Sequence, residues 1–212
     1  MPAKPGGADR RQDLTDSDGH LGSYGEFTGP QVGTGSMRIY RNGVALTSAG
    51  GNTAVDGSTE ASYRIERSYD AQNVFPSGGR ISSVWETEPA KADAYGSPTL
   101  LPLANLVWSA RSLDLSGRLT AGRSTVLDVQ ATSTALDPAD RRFNGGPAAY
   151  TLDGGKTWRS AKAQAVDARG HFRFTVPGVG LKTGTWLGVR FTTQDRAGNS
   201  VSQTLLRAAL VR

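Results

Sequence analysis

The segment Tyr150-Thr-Leu-Asp-Gly-Gly-Lys-Thr-Trp158 constrains the fold of this chain more than any other stretch. A strand runs into a Gly-Gly turn, and the next strand restarts at an aromatic anchor. Gly154 and Gly155 accept the positive φ that such a turn demands. Downstream, Asp195-Arg-Ala-Gly-Asn199 forms a second tight polar turn and leads into a closing strand that contains Ser202-Gln-Thr-Leu-Leu-Arg207. Helical periodicity is absent nearly everywhere, and the apolar clusters alternate instead. The 27 glycines and the modest 8% of aromatics suit many short strands joined by turns. The prediction is an all-β chain.

Strand signals recur along most of the sequence. Ser36 to Arg41 alternates, with Met37, Ile39 and Arg41 pointing one way, and Asn42-Gly43 then gives a short hairpin into Val44–Leu46. Glu60 to Tyr69 places Tyr63, Ile65, Arg67 and Tyr69 on one face. Arg80 to Thr87 carries Trp85 as its heaviest anchor. Further strands are expected from Asn105 to Asp114, Ser124 to Ala131, His171 to Val176, Thr185 to Thr193 and Ser200 to Leu210. The turn spacing matches two consecutive immunoglobulin/fibronectin-like β-sandwich domains. Their expected bounds are a small sandwich over 20–97 and an immunoglobulin-like sandwich over 98–212, after a disordered leader over 1–19. Residues 91–98 read as a linker or long crossing loop. Trp108 or Trp186 is expected to fill the core where an inter-sheet disulfide would otherwise sit.

Composition narrows the function. The chain has no cysteine, which removes disulfides, thiol catalysis and Cys-based zinc sites. No run approaches the roughly 18 apolar residues of a membrane-spanning helix, and the N-terminus lacks the apolar stretch of a secretory signal. The net charge of +5 comes mainly from arginine. The arginines are scattered, with no cluster beyond the pairs Arg10-Arg11 and Arg141-Arg142, and they read as a solvated surface. No aromatic–basic interleaving points to nucleic acid.

Four sets of residues tempt a chemical reading. Gly33-Thr-Gly-Ser-Met37 echoes the nucleophile motif of subtilisin-like proteases, but a strand follows Ser36. A serine nucleophile also needs a base and an orienting carboxylate. The two histidines, His20 and His171, sit in the leader and at a strand start. Thr151 to Trp158 fits the Asp-box pattern of propeller hairpins. It occurs once here, so Asp153 is expected to accept hydrogen bonds from its own turn. Asp16, Asp18, Asp137 and Asp140 lack the ligand series of a calcium loop. Of Trp85, Trp108, Trp158 and Trp186, at least three are expected to pack in the core. No catalytic residue, metal or cofactor is therefore assigned. Asp153, Gly154, Gly155, Trp158, Asp195, Gly198 and Asn199 are assigned to structural turns.

Taken in order, these motifs resemble the C-terminal region of secreted subtilisin-like serine proteases from GC-rich Gram-positive bacteria. The resemblance rests on Tyr150 to Trp158, Phe172-Arg-Phe-Thr-Val-Pro177, Leu187 to Ser200 and Gln203-Thr-Leu-Leu-Arg-Ala208. It extends upstream through Arg38-Ile-Tyr-Arg-Asn-Gly-Val44, Ala61 to Glu66, Ser83 to Thr87 and Leu100-Leu-Pro-Leu103. It spans about Ser36 to Arg207, and none of the matched positions is catalytic in that family. The resemblance implies a non-catalytic accessory β-sandwich region of a subtilase-like exoprotein, which stabilises, spaces or targets a protease domain. It implies an extracellular setting, although this sequence carries no signal peptide and as written suits a cytoplasmic protein or a fragment. The expected partners are a protease catalytic domain, a cell-surface protein or a polysaccharide, with the chain itself a monomer. Two other readings stand beside it: a stand-alone adhesion or carbohydrate-binding module, and a hydrolase working through carboxylates alone.

Overall fold

The structure is a computed structural model that describes residues 14–15, 21–22, 34–46, 59–70, 79–89, 101–133 and 142–212. Among the described residues it is all-β and contains no helix, so none long and apolar enough to cross a membrane. Sixteen strands run in chain order. They are β1 (Leu14–Thr15), β2 (Leu21–Gly22), β3 (Thr34–Arg41), β4 (Val44–Ala45), β5 (Tyr63–Asp70), β6 (Arg80–Glu86), β7 (Ala104–Ala110) and β8 (Arg118–Leu119), followed by β9 (Thr125–Ser133), β10 (Phe143–Asn144), β11 (Ala148–Thr151), β12 (Arg159–Ala161), β13 (Gln164–Ala165), β14 (His171–Val176), β15 (Trp186–Asp195) and β16 (Ser200–Val211).

Two sheets carry the architecture. The large one has ten strands in the order β12-β11-β15-β16-β6-β5-β3-β4, with β10 also on β15 and β8 on β16. The small one has the order β13-β14-β9-β7. All pairings are antiparallel except that of β8, which runs parallel to the end of β16. The Asn42-Gly43 hairpin forms as expected, with φ of 48° and 79° at its two turn residues.

The sheets share one core, which gives the sandwich its inside. Alternation along β15 buries Leu187, Val189 and Phe191, while β14 buries Phe172, Phe174 and Val176. Phe191 bridges the layers, 5.1 Å from the ring of Phe172 and 6.4 Å from that of Trp108 in an edge-to-face contact. The indole N–H of Trp108 donates to Gln203 Oε1 at 2.6 Å, and that of Trp85 donates to the Ala104 carbonyl at 2.6 Å. Each buried indole is thereby satisfied across the layers.

The boundary expected at 97/98 lies outside the described residues, as do the linker over 91–98 and most of the leader. β1, inside the expected leader, pairs with β2, just beyond its expected end. Across the expected boundary, β6 and β16 pair from Glu86 with Ser200 to Ile81 with Leu205. Ile65 and Trp85 belong to the same apolar cluster as Leu106, Val129 and Val201. The large sheet is thus continuous from β3 to β16.

Candidate functional site

The two turns expected from the sequence are built by their own side chains. Asp153 Oδ1 accepts the Thr151 hydroxyl at 2.8 Å and the Thr157 amide at 2.9 Å, and Oδ2 accepts the Thr157 hydroxyl at 2.5 Å. These bonds, the Thr157 hydroxyl first, hold the Asp153 carboxyl far below the usual carboxylate range. Gly154 and Gly155 both take positive φ, and a Cβ on Gly155 would stand 2.9 Å from Leu206. In the second turn the Asp195 carboxylate accepts both the amide and the side-chain N–H of Asn199, at 2.8 and 2.9 Å. Asn199 Oδ1 accepts the Glu88 amide at 3.0 Å, which latches the end of β6 to this turn. Gly198, at φ 100°, holds a backbone conformation that side-chain-bearing residues rarely adopt, and a Cβ there would have to displace the Glu88 side chain.

The serine and histidine do not meet. Ser36 is exposed on β3, its hydroxyl 2.8 Å from that of Ser68 on the outer face of the large sheet. His171 starts β14, and its Nε2 lies 2.8 Å from Asp128 Oδ1 on the outer face of the small sheet. Arg173 shares that carboxylate at 2.7 Å. Burial pulls the Asp128 carboxyl upward, yet the bonds from Arg173 and His171 together hold it below its ordinary value. The two residues therefore occupy opposite outside faces of the sandwich. His20, Asp16, Asp18, Asp137, Asp140 and Arg141 lie outside the described residues. Among the described residues no cluster of three His, Asp or Glu forms that would hold a metal ion.

The tryptophans depart from expectation. Trp85 and Trp108 are buried, at 6% and 7% exposure, and Trp108 fills the inter-sheet core. Trp158 and Trp186 are only half-buried, so two of the four pack inside rather than three. Strand parity is the reason. With Leu187 pointing inward, Trp186 must point outward, and Trp158 shares its face with Ser160, beyond the hairpin turn. Each indole lies under an arginine: the Arg190 guanidinium is 4.6 Å from the Trp158 ring centre, and that of Arg207 is 5.2 Å from Trp186.

These stacks stand on a broad, solvent-facing surface. Cross-strand register carries Arg190 to Thr204, Ser82, Ser68 and Ser36 in one row over five strands. A groove of about 420 Å³ runs along the serine end of that row, between Asp70, Arg80 and Leu206. A second groove of about 430 Å³ continues from Arg80 and Leu206 to Trp186, Arg207 and Asp153. A shift in register opposite Gly188, where three residues of β16 face one of β15, brings Leu206 and Arg207 into this second groove. The arrangement can donate hydrogen bonds from guanidinium and hydroxyl groups along an extended ligand. Alternation in Thr185 to Thr193 carries the signal for Trp186 and Arg190, since Leu187, Val189 and Phe191 claim the inner face. No family model, curated protein or solved structure matches the chain.

Proposed function

We propose that this chain is a non-catalytic, immunoglobulin-like β-sandwich region that attaches a subtilase-like exoprotein to a surface outside the cell. The outer face of the large sheet is its means of attachment. What supports attachment is the pair of half-buried tryptophans under arginines beside a row of exposed hydroxyls. Side chains of this size are normally drawn into a core. Trp186 lines the second groove and Trp158 lies under Arg190 at the end of the hydroxyl row, positions that suit contact with an extended partner. The link to subtilases rests on the order of the motifs from Ser36 to Arg207.

A stand-alone adhesion or carbohydrate-binding module is the second reading, favoured by the same half-buried Trp158 and Trp186. Sedimentation of the purified chain with insoluble cell-wall and polysaccharide preparations tests attachment. Retention is expected, weakened in Trp158→Ala and Trp186→Ala. A chain that stays in the supernatant with every preparation has no attachment role. The neighbouring coding sequence separates the two readings: a frame with Asp-Ser/Thr-Gly, His-Gly-Thr and Gly-Thr-Ser motifs supports the protease link, and an intact unrelated gene counts against it.

A further inference from the structure

We infer that the outer face of the large sheet binds an acidic polysaccharide, a uronate-type polymer whose carboxylates are taken by Arg207 and Arg190. The inference rests on the attachment reading and names its ligand class. Its first ground is unspent charge. Among the described residues, neither Arg190 nor Arg207 has a carboxylate partner; each guanidinium instead lies over an indole. Such stacking covers the planar face and leaves the N–H edge to bind a carboxylate through two parallel bonds. Arg80, between the two grooves, reaches Asp70 only at 3.7 Å, with both side chains solvent-exposed. Asp153 is the acid of the second groove, and its oxygens are occupied by Thr151 and Thr157. Among the described residues, Arg190 and Arg207 therefore present guanidinium groups with no carboxylate counter-charge on this face.

Shape and lining distinguish a polysaccharide from other polyanions. The row from Arg190 to Ser36 crosses five strands, a span of about 19 Å at the usual strand spacing of about 4.8 Å. That spacing is close to the length of one pyranose unit, so the row meets several sugars in succession. Ser36, Ser68, Ser82 and Thr204 offer hydroxyls that can both donate and accept, the complement of sugar hydroxyls. A nucleic acid would need free aromatic faces for its bases. Here a guanidinium already covers one face of each indole. A peptide would need pockets for alternate side chains, whereas the row between Arg190 and Ser36 carries the short hydroxyl side chains of Thr204, Ser82 and Ser68.

The experiment measures binding of the full chain to soluble polygalacturonate, to its fully methyl-esterified form and to single-stranded DNA. Binding is expected to the acid polymer, to weaken with added salt, and to fall at least about tenfold on the ester, which loses the charge-assisted bonds. Arg207→Gln and Arg190→Gln should each weaken binding to the acid polymer by about tenfold. Arg207→Lys, which keeps charge but loses the planar fork, should also bind more weakly than the parent. Arg111→Gln, beside Asp128 on the small sheet, should bind as the parent does. Equal affinity for acid and ester overturns the acidic ligand while leaving attachment through this face intact. Tighter binding to DNA overturns it as well. Failure to bind either polymer overturns the acidic ligand, and only failure to sediment with every preparation removes attachment as well.

Discussion

The carboxylate of Asp153 illustrates how much a single exposed side chain can organise. It collects three hydrogen bonds from Thr151 and Thr157, all of which favour the ionised form. Its folded pKa is depressed, so its contribution to stability is present above the unfolded value and is lost as pH falls. The loss begins near 3.8, the ordinary value, and continues below it as the folded form takes up its proton. Asp153→Asn should therefore lose less stability than the parent between about pH 5 and about pH 2 in urea titrations. Parallel losses in the two proteins would refute this role. Asp195 differs because it is buried, at 2% exposure. Asp195→Ala strands two Asn199 donors and should cost about 2–3 kcal/mol by the same titration. Both aspartates stand in short glycine-containing turns that the sequence marks, and each carboxylate accepts the amide four residues on, from Thr157 and Asn199. The exposure of Trp158 was not legible, since the length of a Gly-Gly turn leaves open which face the next strand presents.

Strands rather than loops decide what the sandwich can present. The bounds of β14 follow directly from the alternation of His171 to Val176, and β16 is extended by one residue beyond the expected Leu210. Alternation works there because one face of each strand is buried and the other is not. It fails for β8, β10 and β13, which are two residues each and too short to show a period. On β15 the same alternation divides labour, with Phe191 inside and Arg190 outside. Phe191→Ala should destabilise the fold by about 3–5 kcal/mol, since it removes the ring between Trp108 and Phe172. Affinity for the glycan should persist below the melting temperature, because the outer side chains of β15 are untouched. Loss of both together at low temperature would mean that the two faces are coupled.

At the scale of the whole molecule, the six strand-pair positions shared by β6 and β16 matter most. Pairing between segments more than 110 residues apart cannot be read from local pattern. Periodicity finds strands, and only the tertiary structure says which edges meet. The Trp85 bond to Ala104 and the Glu88 bond to Asn199 add side-chain ties across the same division. Calorimetry should accordingly show one cooperative transition for the chain, with calorimetric and van't Hoff enthalpies in agreement. Two separated transitions would support the expected division into two sandwiches.

The large sheet also ends in stubs: along its path, β4 has two residues and β12 has three. A long flat edge is a template on which another chain can add by main-chain hydrogen bonding, and short ends offer little to copy. The β12 end is blunted in this way, whereas among the described residues β4 covers only Tyr40 and Arg41 of the eight-residue β3, so molecules crowded along a polymer would meet through that edge first.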